Sequence, residues 1–249
     1  MMVSVCIATY NGAGFIKKQI DSIICQLDKD DEIIISDDGS TDDTLKIIES
    51  YNDSRIKILH HAHDADIQKL KHCKSYYYVT ANFYNAIKNT AGDYIFLADQ
   101  DDVWVKGRKE KMLSALQESD CVMCNYGIID ENDIVSISEY KERKPFYSSL
   151  LANLVIVPPF VGCCMAFTKK TKEYILPFPK KLICHDLWIG CLCAKKKQIT
   201  WIQKPLQLYR RHSSNVSSST EKSKNPLYFI IYYRIVFIFQ FALRYFLGK

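Results

Sequence analysis

Three carboxylates, Asp99, Asp101 and Asp102, close the segment Gly92-Asp-Tyr-Ile-Phe-Leu-Ala-Asp-Gln-Asp-Asp-Val-Trp104. The apolar run before them, Tyr94 to Ala98, reads as a buried strand. Successive side chains of a strand point to opposite faces, so Asp99 and Asp101 are expected on the same side. Like charges held together repel unless a cation sits between them. Hard oxygen ligands suit Mg²⁺ or Mn²⁺, ions commonly held by one or two carboxylates plus substrate phosphates. The competing reading is an acidic turn that caps a helix starting near Lys106, a role that suits Asp102. The strand-end position favours the metal, because open α/β sheets bind ligands beyond the carboxyl ends of their strands.

A second acidic strand end lies upstream. Glu32-Ile-Ile-Ile-Ser36 runs into Asp37-Asp-Gly-Ser-Thr-Asp-Asp-Thr44. Ser40 or Thr41 suits the N-cap of a helix over Asp42 to Tyr51, with acids in its first turn. Capping explains Asp42 and Asp43 but not the pair Asp37-Asp38. Ahead of it, the β-branched run Val3 to Thr9 reads as a buried strand and Tyr10-Asn11-Gly12 as a turn. Phe15, Ile16, Ile20, Ile23, Ile24 and Leu27 then recur at helical spacing.

These elements must position the acids, and their alternation argues for a mostly parallel sheet flanked by helices, an α/β fold. Strands are expected near 3–9, 32–36, 56–59, 93–98, 121–128, 161–167, 199–202 and 206–211. Pro158-Pro159 and Pro177-Phe-Pro179 punctuate the second half into loops. A chain of 249 residues can bury the core of one such unit.

Charge divides unevenly: residues 1–125 carry a net −6 and residues 126–249 a net +11. A basic half is attracted to anionic membrane surfaces or phosphates. Lys195-Lys-Lys197 reads as a solvated helix end, and no nucleic-acid-binding motif accompanies the charge, so nucleic acid is not an expected partner. The chain opens directly on a core strand, which implies a reducing cytoplasm and free thiols for its ten cysteines. Cys121-Val-Met-Cys124 resembles half a zinc site but lacks a partner pair at suitable spacing. Asn215-Val-Ser217 matches a glycosylation acceptor by chance in a chain that is not secreted.

Leu227 to Leu247 is mostly apolar and aromatic, interrupted by Arg234 and Arg244. Its length nominally crosses a bilayer, but a mid-span arginine is costly there. A membrane-interfacial helix fits better, with a helix packed on the domain or on a second subunit as the alternative.

The motifs Val3-Ser-Val-Cys-Ile-Ala-Thr-Tyr-Asn-Gly12, Asp37 to Thr44 and Gly92 to Trp104, followed by His185-Asp-Leu-Trp188 and Tyr209-Arg-Arg-His-Ser-Ser-Asn215, appear in an order that resembles the family-two glycosyltransferases. The resemblance covers roughly residues 3 to 216 and points to the GT-A fold of the bacterial surface-polysaccharide branch, with Asp-Gln-Asp-Asp-Val-Trp closest in wording to rhamnosyltransferases. It departs at Cys73-Lys-Ser-Tyr-Tyr-Tyr-Val-Thr80, where family members often carry a Gly-containing loop before the helix near Ala81. The three tyrosines there could stack on a base or sugar, or simply pack.

The resemblance implies an inverting enzyme that moves a sugar from a nucleoside-diphosphate-sugar to a hydroxyl of a glycan or lipid-linked glycan. Thr9 and Tyr10 would line the nucleotide pocket and Asp38 would accept from the base. Asp101, with Asp99 alongside, would bind the divalent ion, joined by His212; Arg210 or Arg211 would contact phosphate. Asp186 would be the general base, although an N-cap is its bland role. His185 would orient it or line the acceptor site, and Trp188 offers an apolar face to a sugar ring.

This implies a catalytic domain over 1–216, divided into a nucleotide-sugar half (1–105) and an acceptor half (106–216). A linker (217–225) and a hydrophobic helical extension (226–249) follow, with the enzyme in the cytoplasm at the inner face of the membrane. Loops 60–80 and 136–160 would set specificity. Two other readings compete. A sugar nucleotidyltransferase expects a Gly-rich, Arg-containing loop after the first strand, which Tyr10-Asn11-Gly12-Ala13 is not. A non-catalytic glycan- or nucleotide-binding module has no need of Asp99, Asp101 and Asp186 together.

Overall fold

The structure, a computed structural model, describes residues 1–61, 65–69, 74–139, 160–180, 182, 184–196, 198–213, 215 and 227–247. Pro158-Pro159, the linker over 217–225, most of the loop over 136–160 and parts of the loop over 60–80 lie outside the described residues. The strands are β1 Val3–Thr9, β2 Glu32–Asp37, β3 Ile56–His60, β4 Tyr94–Asp99, β5 Val103–Trp104, β6 Cys121–Ile129, β7 Val135–Ile137, β8 Met165–Thr168 and β9 Ile199–Arg210. They form one sheet in the order β3-β2-β1-β4-β8-β6-β9-β5, with β7 paired to β6. The first four strands in that order are mutually parallel. The rest is mixed: β8 runs antiparallel to both β4 and β6, while β9 runs parallel to β6.

The residues dictate this arrangement. β1, β2 and β6 are mostly apolar and are buried almost throughout, as expected of strands covered on both faces. Their register brings Thr9 level with Asp37 and Ala8 level with Asp99, so the two acidic strand ends meet beside the first turn. The two strands expected over 199–211 are one strand, β9. Its register against β6 shifts on either side of Asn125, which faces Pro205. Proline has no N–H for the ladder, so it is accommodated at the irregularity. The short strands β5 and β7 were not expected from the pattern.

The helices are α1 Ile16–Ile24, α2 Thr44–Glu49, α3 Ala65–Gln68, α4 Lys74–Lys88, α5 Arg108–Ala115, α6 Lys169–Ile175, α7 His185–Lys195 and α8 Leu227–Leu247. α1 buries Ile16, Ile20 and Ile23, the stripe that predicts it. α4 starts at Lys74 rather than near Ala81, and its tyrosines pack: Tyr77 is buried among Ile67, Tyr76, Cys184 and Tyr233. The expected N-cap by Ser40 or Thr41 does not form. Helix α2 follows Asp43, and the Asp42 carboxylate receives Thr44 N–H at 3.0 Å. The described cysteines are all free, and Cys121 and Cys124 lie buried in β6.

α7 is apolar on nearly every side and buried over most of its length. Gly190 lets it sit against the Phe160 ring, because a Cβ there would stand 2.2 Å from that ring. α8 covers α7 from outside: the Trp188 ring meets Phe237 and Phe241 edge-on, with centroids at 6.0 and 6.4 Å.

Candidate active site

The turn after β1 is fastened by side chains from both acidic segments. Gln100 Oε1 receives Thr9 Oγ1–H at 2.7 Å and Tyr10 N–H at 2.9 Å, and its Nε2 donates to the Tyr10 carbonyl at 3.1 Å. Gly12 leaves room for this amide: a Cβ there would stand 2.4 Å from Gln100 Oε1 and push the side chain off its bonds to Thr9 and Tyr10. From the other side, Ser40 Oγ accepts from Asn11 N–H and Thr44 Oγ1 from Gly12 N–H, at 2.9 and 2.8 Å. Asp37 binds its own turn through Gly39 N–H, Ser40 N–H and the Ser40 hydroxyl. Asp38 donates its N–H to the Thr9 carbonyl at 2.9 Å and pairs its carboxylate with His61 Nδ1 at 2.8 Å. Thr9, Tyr10 and Asp38 are therefore brought together, with Thr9 buried and Tyr10 half exposed.

The second acidic segment divides its carboxylates. β4 ends at Asp99, and residues 100–101 form a turn. The strand alternation expected to align Asp99 with Asp101 stops there. The carboxylates of Asp99 and Asp102 and the Cys163 thiol lie within 4.8 Å of one another. Asp101 instead meets His212: Oδ2 lies 2.7 Å from Nε2, with Asn215 Nδ2 at 3.3 Å. The His212 ring stacks on Phe15 at 4.6 Å. Asp99 stays near Asp101 electrostatically. Desolvation by the surrounding protein, then the Asp101 charge, pushes its carboxyl up to about 8, while the Cys163 hydrogen bond opposes the rise and the Asp186 charge adds to it.

Asp102 is fully buried and is not the cap expected for the following helix. Its oxygens receive Gln207 Nε2–H at 2.7 Å and Arg210 N–H at 2.9 Å. Gln207 is also held by the buried Arg108, whose Nη2 donates to the Cys163 carbonyl at 2.6 Å. Burial first, then the charges of Asp101 and Asp99, raises the Asp102 carboxyl well above the usual carboxylate range. On the opposite side of the turn, Gln19 of α1 donates to the Asp99 carbonyl at 2.7 Å.

Arg210 corrects the expectation of a phosphate ligand. It is fully buried, and its guanidinium donates to the carbonyls of Asp101 and Asp130 at 2.6 and 2.7 Å and to Asp133 Oδ1 at 2.6 Å. A guanidinium so committed positions the Asp101 turn and has little left for a ligand. Arg211 is partly exposed, with its guanidinium carbon 6.0 Å from the Tyr209 ring centre.

Asp186 lies in the first turn of α7, half-buried, with its own Oδ1 receiving Leu187 N–H at 2.7 Å. The N-cap expected of Asp186 falls instead on Cys184, and Asp186 is an acid of the first turn, where the helix dipole favours it. His185 is buried against Phe83, with ring centroids 4.2 Å apart, and its Nε2 lies 2.6 Å from where a Gly162 Cβ would stand. Burial lowers its pKa, the Asp186 charge opposing. This packing takes it away from the exposed lining expected of an acceptor site. Trp188 does not offer a face to sugar. It is fully buried, donates Nε1–H to the Ile175 carbonyl at 3.1 Å, and forms the seat of α8.

Two residues in this cluster carried another reading or none. Asn215 matched a chance glycosylation motif but reaches both Asp101 and His212. Its spacing in His212-Ser-Ser-Asn215 was the available signal, since a chain turning back on itself brings i and i+3 together; Asn215 N–H donates to the His212 carbonyl at 3.3 Å. Gln100 sits between the acids, where only its neighbours attracted attention.

The donor set fits a hard divalent cation. Adjacent ligands about 2.1 Å from an octahedral ion stand roughly 3 Å apart. The Asp101 oxygen and His212 nitrogen, 2.7 Å apart, are close to that separation. Asp99 feels the Asp101 charge, but its own carboxylate clusters with Asp102 and the Cys163 thiol rather than with this pair.

An α/β sheet with acidic strand ends around the turn after β1 places the candidate site where such sheets bind ligands. The chain belongs to Glycosyl transferase family 2, whose profile matches residues 4–175. It is similar to the dTDP-rhamnosyl transferase RfbG of Shigella flexneri, 31% identical over 231 residues that cover 84% of this chain and 72% of that protein. It is also similar to the UDP-Glc:alpha-D-GlcNAc-diphosphoundecaprenol beta-1,3-glucosyltransferase WfgD of Escherichia coli, 26% identical over 100% of this chain and 98% of that one. The fold matches residues 1–349 of S. aureus TarS in complex with UDP-GlcNAc, with a TM-score of 0.62 at 19% identity. That match covers 96% of this chain, which spans 66% of the TarS chain.

Proposed function

We propose that this glycosyltransferase acts in bacterial surface-polysaccharide synthesis, moving a sugar with inversion from a nucleoside-diphosphate-sugar to a hydroxyl of a lipid-linked glycan at the inner face of the cell membrane. The observation that carries the catalytic reading is the Asp101–His212 pair at the end of the acidic segment, next to Asp99, whose carboxyl feels the charges of both Asp101 and Asp186. A divalent ion, Mg²⁺ or Mn²⁺, held by Asp101, Asp99 and His212 would neutralise the leaving diphosphate as a Lewis acid. Thr9 and Tyr10 line the nucleotide pocket, and Asp38, steadied by His61, accepts from the base. Arg211 remains the candidate for phosphate. Asp186 takes the proton of the attacking hydroxyl, and His185 orients the helix start that carries it. One base and direct displacement give inversion at the anomeric carbon.

RfbG, by its name, uses a dTDP-rhamnosyl donor, and WfgD a UDP-glucosyl donor with a diphosphoundecaprenol acceptor. Rhamnosyl transfer is favoured by the wording of residues 99–104 and by the higher identity to RfbG. The test is a comparison of dTDP-rhamnose with UDP-glucose in the presence of Mn²⁺, reading protection from thermal unfolding and release of nucleoside diphosphate on a diphosphate-lipid acceptor. Rhamnosyl transfer predicts larger protection by dTDP-rhamnose and dTDP release. Release of pyrophosphate, or no release with any donor, overturns the transferase reading.

A further inference from the structure

α8 presents two unlike faces. Phe237, Phe241 and Arg244 point inward and are buried. Arg244 donates to the Leu176 carbonyl at 2.9 Å and also to the Pro177 carbonyl, and stands over the Trp188 ring. Arg234 is on the same side, three residues before Phe237, and is partly buried. Both arginines therefore belong to the seam with the domain. The outward face repeats at three- and four-residue intervals through Ile231, Ile235, Ile238 and Phe239 to Phe246, and these side chains are 38–76% exposed. Tyr232 and Tyr245 lie on that face towards its two ends. No Asp or Glu occurs anywhere in Leu227–Leu247. The apolar surface continues into an open groove of about 610 Å³ lined by Pro177, Phe178, Phe239 and Leu243.

We infer that this face of α8 docks flat on an anionic bilayer surface, with the helix in the plane of the interface. Among the described residues no helix is long and apolar enough to cross a membrane. A helix of 21 residues is roughly 31 Å long at about 1.5 Å per residue. Such a helix, apolar along one side, sinks about 5–10 Å into the headgroup–acyl boundary. The cations that flank the stripe are lysines rather than the arginines in the helix. Lys195 sits over the Tyr245 ring, Lys196 over the Tyr174 ring, and Lys180 follows the groove residues; all three are exposed. This arrangement favours anionic headgroups over a second copy of the chain. Pairing the same face across a two-fold axis would set one lysine rim in the field of the other, with no acid on α8 to offset it.

The face stands on geometry alone, while its purpose rests on the proposed function. α8 is seated on Trp188, two residues after Asp186 on α7. The membrane-facing helix and the candidate base are thus joined through one side chain, which would bring a lipid-linked acceptor to the base.

The test is flotation of the full chain with phosphatidylcholine vesicles, with and without phosphatidylglycerol, at low and high salt. The expected result is binding that favours phosphatidylglycerol, falls with salt and retains a salt-resistant part. The double variant Ile235→Glu/Phe239→Glu should bind at least about tenfold more weakly, since it removes two apolar side chains from the contact. Lys195→Glu/Lys196→Glu should lose mainly the salt-sensitive part, which keeps the inference testable if the first variant misfolds. Asp186→Asn should float like the parent, and sugar transfer to a short water-soluble acceptor should survive Ile235→Glu/Phe239→Glu. Those two readouts separate failure of docking from failure of the transferase reading. Equal flotation of parent and both variants, or no flotation of the parent, overturns the inference. So does a dimer by light scattering that Ile235→Glu/Phe239→Glu dissociates without any vesicle binding, which would make the face a subunit contact.

Discussion

On the proposed function, the donor and acceptor ends of the site are assembled by different means. At the donor end, Thr9, Tyr10, Asp38 and Gln100 are joined largely through main-chain groups at the ends of adjacent parallel strands. Each side chain there follows from a short contiguous motif and a register that the strands themselves fix. At the acceptor end, Asp186 rides on a helix whose place depends on Phe160, Ile175, Phe237 and Phe241, from three separate parts of the chain. The first end is a set of local turns stitched together, and the second is a packed body with one carboxylate at its tip. Mutations should therefore separate nucleotide binding from turnover at the two ends.

Asp186→Asn should give the largest effect. The side chain keeps its shape and can still accept from Leu187 N–H, so the first turn of α7 should hold. Turnover should fall by about 10²–10⁴-fold if the carboxylate is the general base. Affinity for the nucleoside diphosphate, measured by calorimetry with Mn²⁺, should stay near normal. Normal turnover would leave Asp186 only an acid in the first turn of α7 and place the base elsewhere.

Trp188→Ala tests the packed body. Removing a fully buried indole leaves a cavity under α8 and an unpaired Ile175 carbonyl, at a cost of about 3–5 kcal/mol. Chemical denaturation should show that loss. Below its unfolding transition the variant should still bind nucleotide, because the donor turns do not lean on Trp188. A loss of nucleotide affinity equal to that of Asp101→Asn would erase the distinction between the two ends.

Asp101→Asn, or chelation by EDTA, should lower turnover by at least about a hundredfold, as the stabilisation of a leaving diphosphate by a metal is worth several kcal/mol. Unlike Asp186→Asn, it should also weaken nucleoside diphosphate binding, since the ligand shares the cation. Full activity in EDTA would remove the metal from the mechanism.

What the sequence discloses follows the same division. The strands β1, β2, β4 and β6 are legible because each is an apolar run ended by turn residues. Asp101 is legible as a site residue but not in its orientation, because period two ends with the strand at Asp99. Arg210 reads as a phosphate ligand from its place at a strand end. Only the return of the chain through Asp130 and Asp133 shows its hydrogen bonds already taken. Trp188 reads as a surface for sugar because its cover, Phe237 and Phe241, lies about fifty residues away in sequence. Which face of α8 stays outside was hidden for the same reason. The helix is apolar nearly all round, so only the docked structure shows which side chains remain outside.

The smallest expected effect falls on Gln100, and it sharpens the comparison furthest. Its amide makes three contacts to the turn after β1, to Thr9 Oγ1, Tyr10 N–H and the Tyr10 carbonyl. Gln100→Leu keeps much of the volume and removes all three. A neutral hydrogen bond contributes about 1 kcal/mol net, and the partly exposed turn can recover some of its bonds from water. Nucleotide affinity should therefore fall by roughly tenfold, one decade per 1.4 kcal/mol. The turnover of saturated enzyme should change little, because the base and the Asp101–His212 pair are untouched. Gln100→Glu should be similar or worse. The carboxylate can still accept from Thr9 and Tyr10 but adds a charge beside Asp99 and Asp101, and the donor to the Tyr10 carbonyl is lost. Saturation kinetics in donor would check both variants. A change in turnover without a change in donor affinity would mean that the turn after β1 serves the chemistry directly rather than the binding of the nucleotide.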